Sequence, residues 1–296
     1  MGNILTKQFY RQRKDFEDSC AGRDAGLTFP EGVICSTDIA YADDGIKAQL
    51  LDIYRLEDSQ EKILPVIINV HGGGLIIGNK EFNRYFCALL CKKGFLVYSI
   101  EYRLIPDCLI YDQIADVFMA MDYIKERLAA DGGDSSHVYM AGDSGGACLI
   151  TYVNAIQNST NIARAANVTP SGLRINALGL ISGMFYTSRF DKIGLFLPKY
   201  LYGRDYKKTP FAKYVNPENR ELLNSLAPVW LVTSHNDFLR RYTTDLEKAL
   251  TRAEREHELV VFPKNKKLTH AFSVFEPFLP ESSAVIDMMV EYFRKF

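Results

Sequence analysis

The residues best suited to chemistry surround Ser144. A strand-like apolar run over 138–141 leads into the pentapeptide Gly142-Asp143-Ser144-Gly145-Gly146, and a helical pattern of small residues follows at once. A serine on such a sharp strand-to-helix turn presents its hydroxyl at the end of a sheet. The flanking positions are glycines because the turn brings neighbouring backbone too close for a Cβ atom. The pattern predicts that Ser144 is a nucleophile.

The same pentapeptide also surrounds the nucleophile of chymotrypsin-like proteases. Those enzymes carry their histidine and aspartate before the serine, on an all-β double barrel. They usually continue with proline, whereas Ala147 stands here and is followed by a run typical of a buried helix. His71, upstream of the serine, precedes three glycines, which is typical of a loop. The context therefore favours an α/β protein over a protease of that class.

A serine hydroxyl needs a base to remove its proton, and the chain has five histidines. His137 and His257 fall at the amino ends of predicted strands, away from the serine turn. His235 lies two residues from a better candidate for the acid. His270 lies in a loop after the last predicted strand, at the carboxyl edge where open α/β sheets keep their sites. We therefore expect His270 to be the base.

The imidazole in turn needs a carboxylate that fixes its tautomer and stabilises its charged form. Asp237 follows the predicted strand over 228–233 and precedes His270 by 33 residues. The chain order Ser144, Asp237, His270 is that of α/β-hydrolases. Asp237 is thus the predicted acid.

Acyl transfer also requires donors for a developing oxyanion. His71-Gly72-Gly73-Gly74 follows an apolar strand over 66–70, and glycines there allow backbone N–H groups to turn toward a substrate. A glycine run after a strand can instead hold a phosphate. However, the Lys-Ser/Thr of a phosphate loop is missing, and the glycine spacing does not fit a dinucleotide fingerprint. The run therefore predicts an oxyanion hole.

The elements that must position these residues alternate between strand and helix patterns. Strands are predicted over 48–55, 65–70, 95–101, 137–141, 177–181, 228–233 and 258–262, and helices over 83–92, 110–130, 145–157, 240–255 and 282–296. This alternation predicts an α/β fold with a mostly parallel central sheet and helices on both faces.

Two segments depart from the alternation. Residues 1–45 are polar and irregular, and residues 183–225 are rich in aromatic side chains. We expect the second segment, 183–225, to form a cap over the site, because it interrupts the alternation on the side where the strands end. The alternative for 183–225 is a surface excursion whose aromatic rings pack among themselves.

The amino-acid composition excludes several classes of function. Of 296 residues, 47% are apolar and 24% charged, and the net charge of -1 provides no field to attract nucleic acid. The six cysteines lack metal-site spacing, and buried free thiols in a reducing compartment are favoured over a Cys87–Cys91 contact. No apolar run approaches the roughly 20 residues of a membrane span, and no signal-peptide core is visible. We therefore expect a cytoplasmic protein without stable membrane insertion, whose oligomeric state, a homo-oligomer included, stays open.

The N-terminus carries a short motif of its own. The residues from Met1 to Thr6 fit the myristoylation pattern, and basic residues follow it. A plain amphipathic helix with Leu5, Phe9 and Phe16 on one face explains the same residues. We favour this second interpretation.

Five motifs in the same order resemble the hormone-sensitive-lipase-like family of α/β-hydrolases: His71-Gly72-Gly73-Gly74 with Gly78 beyond, Tyr102-Arg103-Leu104-Ile105-Pro106-Asp107, Gly142-Asp143-Ser144-Gly145-Gly146, Asp237-Phe238-Leu239-Arg240 and His270-Ala271-Phe272. The resemblance implies a serine carboxylesterase with a helical cap made from the N-terminus (1–45) and the mid-chain insertion (183–225), over a catalytic domain formed by 46–182 and 226–296. We expect the enzyme to use no metal and no cofactor. The resemblance also implies that Gly73, Gly74 and Gly145 donate the oxyanion N–H groups, and that Asp143 braces the loop of His71 and Gly72.

The chain departs from that family at several positions. Gly145 stands where the family usually has alanine, Leu75 where it often has a large aromatic residue, and Phe238 where it usually has proline. None of these changes removes a catalytic atom, but those at Gly145 and Leu75 can alter the shapes of the oxyanion site and the acyl pocket, and with them the substrate preference.

The activity expected from these motifs is hydrolysis of small, short-chain esters through an acyl-enzyme, with a small molecule as the partner. Three alternatives stay open. They are an amidase of the arylformamidase type, an acetylesterase acting on acetylated sugars, and a non-catalytic binding protein on a hydrolase scaffold.

Overall fold

An eight-stranded sheet runs through the middle of the computed structural model, which describes residues 2–296, with side chains from Thr6 onward. In chain order the strands are β1 (Val33–Ala40), β2 (Leu50–Leu56), β3 (Leu64–Val70), β4 (Leu96–Ile100), β5 (Gly133–Asp143), β6 (Ala177–Ile181), β7 (Val229–Ser234) and β8 (His257–Phe262). Their order across the sheet is β1-β2-β4-β3-β5-β6-β7-β8. The pairs β1–β2 and β2–β4 are antiparallel and all others are parallel.

Eleven α-helices surround the sheet within the described residues. They are α1 (Gly2–Asp24), α2 (Arg84–Lys92), α3 (Ile110–Arg127), α4 (Ser144–Asn158), α5 (Thr160–Ala166), α6 (Lys192–Phe196), α7 (Pro198–Leu201), α8 (Arg220–Asn224), α9 (Arg240–Arg252), α10 (Phe272–Phe275) and α11 (Pro280–Phe293). Short 3-10 turns cover Glu57–Ser59, Lys80–Asn83, Tyr206–Lys208 and Pro210–Tyr214. No helix in this part of the chain is long and apolar enough to cross a membrane.

The central strand β3 shows why helices cover both faces of the sheet. Successive side chains of a strand point to opposite faces. Val66 and Ile68 join a core shared with α3, α4 and α9, whereas Ile67 joins a second core shared with α2 and α11. All three side chains are fully buried, as a parallel strand between two helical layers requires. The predicted α/β fold with a mostly parallel sheet is confirmed.

The N-terminal segment contains the helix favoured there, α1, although the side chain of Leu5 lies outside the described residues. The rest of residues 1–45 differs from the irregular structure predicted, because strand β1 pairs with β2 at the edge of the sheet. Buried and exposed side chains do not alternate regularly along β1. The strand pairs with only one neighbour, β2, and its register is irregular between Ser36 and Ile39. Polar residues such as Asp38 are therefore exposed within the strand, and the sequence lacks the apolar alternation that would have predicted it. Met1, with which the acylation pattern begins, lies outside the described residues.

The aromatic-rich segment over 183–225 folds into the short helices α6, α7 and α8 and two 3-10 turns. Tyr202, Phe211 and Tyr214 are buried within it. Phe9 of α1 packs edge-on against Tyr200, with ring centroids 5.2 Å apart. The N-terminal helix and the mid-chain insertion are therefore in contact, although their role as a cap stays a prediction.

Candidate active site

Ser144 occupies the junction between β5, which ends at Asp143, and α4, which begins at Ser144. Its φ of +48° is in the left-handed region, which a non-glycine residue adopts at a cost of about 1 to 3 kcal/mol. The turn tolerates no side chain at Gly146, where a Cβ would lie 2.1 Å from the carbonyl oxygen of Val70. The sharp turn predicted from the pentapeptide thus forms at the carboxyl end of β5, with Ser144 largely buried.

His270 and Asp237 lie in line with this serine. His270 Nε2 is 2.9 Å from Ser144 Oγ, and His270 Nδ1 is 2.7 Å from Asp237 Oδ1. Because an ionised carboxylate can only accept, Nδ1 carries the hydrogen and the lone pair of Nε2 faces the serine. This arrangement can accept the proton of Ser144 when its oxygen attacks an acyl carbon.

Asp237 accepts two hydrogen bonds besides the one from His270. Its Oδ2 accepts a hydrogen bond from Thr233 Oγ1 at 2.8 Å, and its Oδ1 accepts one from the Leu239 amide at 2.8 Å. Burial alone would raise the pKa of Asp237, but the hydrogen bond and charge of His270 outweigh it, with help from the Leu239 amide and Ser182. The pKa therefore lies below its usual 3.8, and the carboxylate is ionised at neutral pH.

The loop that carries His270 is fixed by a residue that the sequence did not single out. The Ala271 amide donates a hydrogen bond to Ser182 Oγ at 3.1 Å. Ser182 follows β6, and Thr233 lies in the neighbouring strand β7. Their shared position at the carboxyl edge of the sheet was the one signal that could have identified them.

The glycine run after β3 lies directly beside the residue that follows the serine. A Cβ placed on Gly145 would be 2.9 Å from the Gly74 nitrogen and 2.8 Å from the Leu75 nitrogen. Gly73 adopts a φ of +98°, and a Cβ there would lie 2.0 Å from the carbonyl oxygen of Ile77. The structure therefore brings together the backbone of three glycines that the resemblance assigns to an oxyanion hole.

Asp143 ties the glycine run to the serine turn. Its buried Oδ1 accepts hydrogen bonds from the Gly72 amide at 3.0 Å and from Asn83 Nδ2 at 2.9 Å. Burial raises the pKa of Asp143 above 3.8, although these bonds oppose the shift. Asn83 was not predicted, since nothing in its local pattern indicates this contact.

His71 lies at the start of the glycine run, and its side chain contacts the two residues that follow β4. It stacks on Tyr102, with ring centroids 4.4 Å apart, and its Nε2 is 3.3 Å from Glu101 Oε1. Burial alone would lower the pKa of His71. The charge and hydrogen bond of Glu101 raise it by more, so the pKa lies above its usual value. The Tyr102 hydroxyl donates to the His71 carbonyl oxygen at 2.8 Å. These contacts support the backbone of the loop.

The far end of the same loop is anchored by Lys80, a fully buried lysine. Its ammonium group lies 2.8 Å from Asp38 of β1 and 3.0 Å from Asp52 of β2, and it also contacts Glu81. The Lys80 amide donates to Glu101 Oε2 at 2.8 Å. The loop is thereby connected to the antiparallel edge of the sheet.

Arg13 of α1 is a second anchor that sequence patterns did not reveal. Its guanidinium donates to the carbonyl oxygens of Ile76 at 2.8 Å and Ile105 at 2.6 Å, and it pairs with Asp107 at 2.8 Å. Ile76 lies two residues beyond Gly74, so α1 contacts the loop that faces Ser144.

The other histidines have partners away from the site. His235 contacts Arg240, and His137 pairs with Asp134. His257 contacts the carbonyl oxygen of Arg255. Across residues 2–296, no group of three or more His, Cys, Asp and Glu side chains is arranged to hold a metal ion.

Comparison with known proteins places this geometry in a family. Residues 67–273 match the family described as "alpha/beta hydrolase fold". An isoprenylcysteine alpha-carbonyl methylesterase of Arabidopsis thaliana is 26% identical over 133 residues, which are 45% of this chain and 31% of that protein. A tuliposide A-converting enzyme of Tulipa gesneriana is 31% identical over 124 residues, 38% of this chain and 33% of that protein. The matched segments thus span about a third of these relatives.

Among solved structures, esterase B from Lactobacillus rhamnosis superposes with a TM-score of 0.92 at 23% identity, covering 100% of this chain and 96% of that one. The family match includes the glycine run, the serine turn, Asp237 and His270. The chain therefore belongs to the α/β-hydrolase-fold family, and its predicted resemblance to the hormone-sensitive-lipase-like branch is confirmed.

Proposed function

We propose that this protein is a serine esterase that hydrolyses small carboxylic esters with short acyl groups. The observation that carries the proposal is the continuous hydrogen-bonded line from Ser144 through His270 to Asp237, beside a glycine loop packed against Gly145. The names of the curated relatives, which include a methylesterase, agree with this reaction class.

In the first half-reaction, Ser144 Oγ attacks the ester carbonyl carbon while its proton passes to His270 Nε2. The N–H groups of Gly73, Gly74 and Gly145 hold the negative charge on the former carbonyl oxygen. As this intermediate collapses, the bond to the alkoxy oxygen breaks and His270 returns its proton to the leaving alcohol.

In the second half-reaction, a water molecule replaces the alcohol. Its proton passes to His270 as its oxygen attacks the acyl carbon, and the acid is released as Ser144 regains a proton. Asp237 stays ionised throughout and stabilises the imidazolium. Because every step uses side chains of this chain, we expect a chelator to leave turnover unchanged.

The side chains behind Ser144 support the preference for short acyl groups. Cys148 and Tyr152 follow Ser144 by one and two turns on the same face of α4, and both are buried. The Tyr152 hydroxyl is 3.1 Å from that of Tyr202, which is 2.7 Å from Thr187 Oγ1. In this proposal these buried groups limit the space that a long acyl chain could occupy.

The insertion over 183–225, together with α1, forms the cap in this proposal. Strand β1 belongs to the central sheet, so we place the end of the N-terminal cap segment before Val33 rather than at residue 45. The Phe9–Tyr200 contact supports a single cap built from both segments.

A panel of matched p-nitrophenyl esters and anilides, run beside acetylated saccharides, tests the proposal. We expect turnover to be highest on acetyl to butyryl esters, and Ser144→Ala to abolish it while the circular dichroism spectrum is unchanged. Preference for the anilides would indicate an amidase, and acetate release confined to saccharides would indicate a sugar acetylesterase. If Ser144→Ala retained wild-type turnover, or a fluorophosphonate failed to label Ser144, the assignment of the nucleophile would be wrong.

A further inference from the structure

Four large apolar side chains are exposed near the candidate active site. They are Phe190 (91% exposed), Leu195 (56%), Phe196 (62%) and Phe238 (74%), and we refer to them as the apolar rim. Three of them lie in or beside α6, a helix none of whose residues is buried. Isolated exposed apolar residues are ordinary in proteins, but three within the short segment 190–196 indicate an interaction surface.

Two segments of chain bring the rim to the entrance of the site. The ring of Phe238 lies 4.4 Å from that of His270, between centroids. Asp191, beside Phe190, accepts a hydrogen bond from the Tyr242 hydroxyl at 2.5 Å in the first turn of α9, just after Phe238. The start of the insertion also lies beside the nucleophile, because the Met184 amide donates a hydrogen bond to the Ser144 carbonyl oxygen at 2.9 Å.

The charge around the rim differs in sign from that of the whole chain. Residues 188–208 contain six lysines and arginines and two aspartates, so the segment carries a charge of +4 in a protein whose net charge is -1. One of the six, Arg189, is paired with Asp245 of α9. Lys192, Lys199 and Lys207 are among the exposed side chains of this segment. The surface thus combines phenyl rings with cations.

We propose that the apolar rim and its lysines dock this protein reversibly on an anionic lipid surface. Phenyl and leucyl side chains enter the boundary between headgroups and acyl chains, while lysines attract the lipid phosphates. A lipid surface fits better than a protein partner, because the cations are spread over about 20 residues around the rings and complement a diffuse negative potential. Docked in this way, the site opens toward the lipid surface.

The proposal does not depend on the esterase assignment, because binding is measured without any reaction. Purified protein is sedimented with vesicles of pure phosphatidylcholine and with vesicles containing about 30% phosphatidylglycerol. We expect binding to the anionic vesicles only, weakened by about 0.5 M salt because added salt screens charge attraction. Absence of binding to anionic vesicles at low salt would overturn the proposal.

Two pairs of substitutions identify the surface. Phe190→Ser with Phe196→Ser, and separately Lys192→Glu with Lys199→Glu, should each lower the vesicle partition coefficient about tenfold or more. All four side chains are exposed, so the fold should persist, as circular dichroism would verify.

The matched control lies at the opposite edge of the sheet. Ile63 is 76% exposed and Lys62 is exposed, and both precede β3 at its amino end. Ile63→Ser with Lys62→Glu should leave partitioning unchanged. Equal loss in the control and rim variants would overturn the assignment of the surface. Sedimentation velocity provides a second check. A dimer that dissociates in Phe190→Ser with Phe196→Ser would also overturn the assignment, because a second copy of the chain would then cover the rim.

Discussion

Replacing Gly145 by alanine should displace the glycine loop that faces Ser144. The added methyl group would meet the nitrogens of Leu75 and Gly74 at 2.8 and 2.9 Å, whereas ordinary contacts lie at 3.4–4 Å. All of the neighbouring atoms are backbone, so no side chain can rotate away. The loop must therefore move by about 0.5 Å.

The expected effect follows from what oxyanion geometry contributes. Loss of one donor costs about 100- to 1000-fold in turnover, and a misplacement of about 1 Å costs roughly 100-fold. A shift of about half that size should lower kcat by tenfold to 100-fold, which is about 1.4 to 2.7 kcal/mol of transition-state stabilisation. KM should change little, because the loss concerns charge that develops only in the transition state.

The assay compares kcat and KM for an acetyl ester in wild type, Gly145→Ala and Gly22→Ala. Gly22 is the matched control, since a Cβ at that position in α1 meets no atom within 4 Å. Gly22→Ala should retain full turnover. If Gly145→Ala kept the wild-type kcat, the position of the glycine loop beside Gly145 would not control turnover, and this prediction would be wrong. That result would also mean that the family's usual alanine fits this chain without cost.

Three further outcomes are expected. Asp237→Asn should lower kcat about 1000- to 10,000-fold at neutral pH with an unchanged fold, because His270 loses the partner that fixes its tautomer; a loss below tenfold would contradict this role. Burial raises the pKa of Asp143 above 3.8, so its ionised form costs folding free energy above the raised pKa and costs nothing below 3.8, where both states are protonated. Asp143→Asn should therefore raise the free energy of unfolding at pH 7 by an amount that shrinks as pH falls, and urea titrations showing a gain independent of pH would argue against it. Arg13→Ala should cost about 1 to 3 kcal/mol of stability and lower kcat, because two carbonyl oxygens beside the loop lose their donor. Arg11→Ala, on the exposed face of the same helix, should change thermal stability and kcat little, and equal effects of the two would count against the anchor.

The residues at the ends of strands were the most predictable part of this molecule. Ser144, Asp237 and His270 each follow an apolar run, and parallel strands bring their carboxyl ends to one edge whatever the loops between them do. That geometry follows from the order of elements alone. It explains why elimination among the histidines led to the one that lies 2.9 Å from Ser144.

The supporting residues were not predictable, for a physical reason. Arg13 and Lys80 act through contacts with residues 63 and 42 positions away, and no local periodicity records such pairs. Strand β1 escaped prediction because an edge strand with a register irregularity exposes most of its side chains and loses its alternation. The division into cap and catalytic domain stays a prediction.

The buried ammonium group of Lys80 has a consequence for how the molecule opens. The hydrogen bonds that it donates to Asp38, Glu81 and Asp52 outweigh the effect of burial and raise the pKa of Lys80, so the group stays charged. If β1 detached from the sheet, the ion pair between Lys80 and Asp38 would be lost. If the loop beyond Gly78 moved, the ion pair between Lys80 and Asp52 would be lost. Amide protons of β1 and of the glycine loop should therefore exchange with solvent in one shared event. Residues up to Ala40 contain none of the proposed catalytic side chains, yet we expect changes in them to alter how often the loop that faces Ser144 opens.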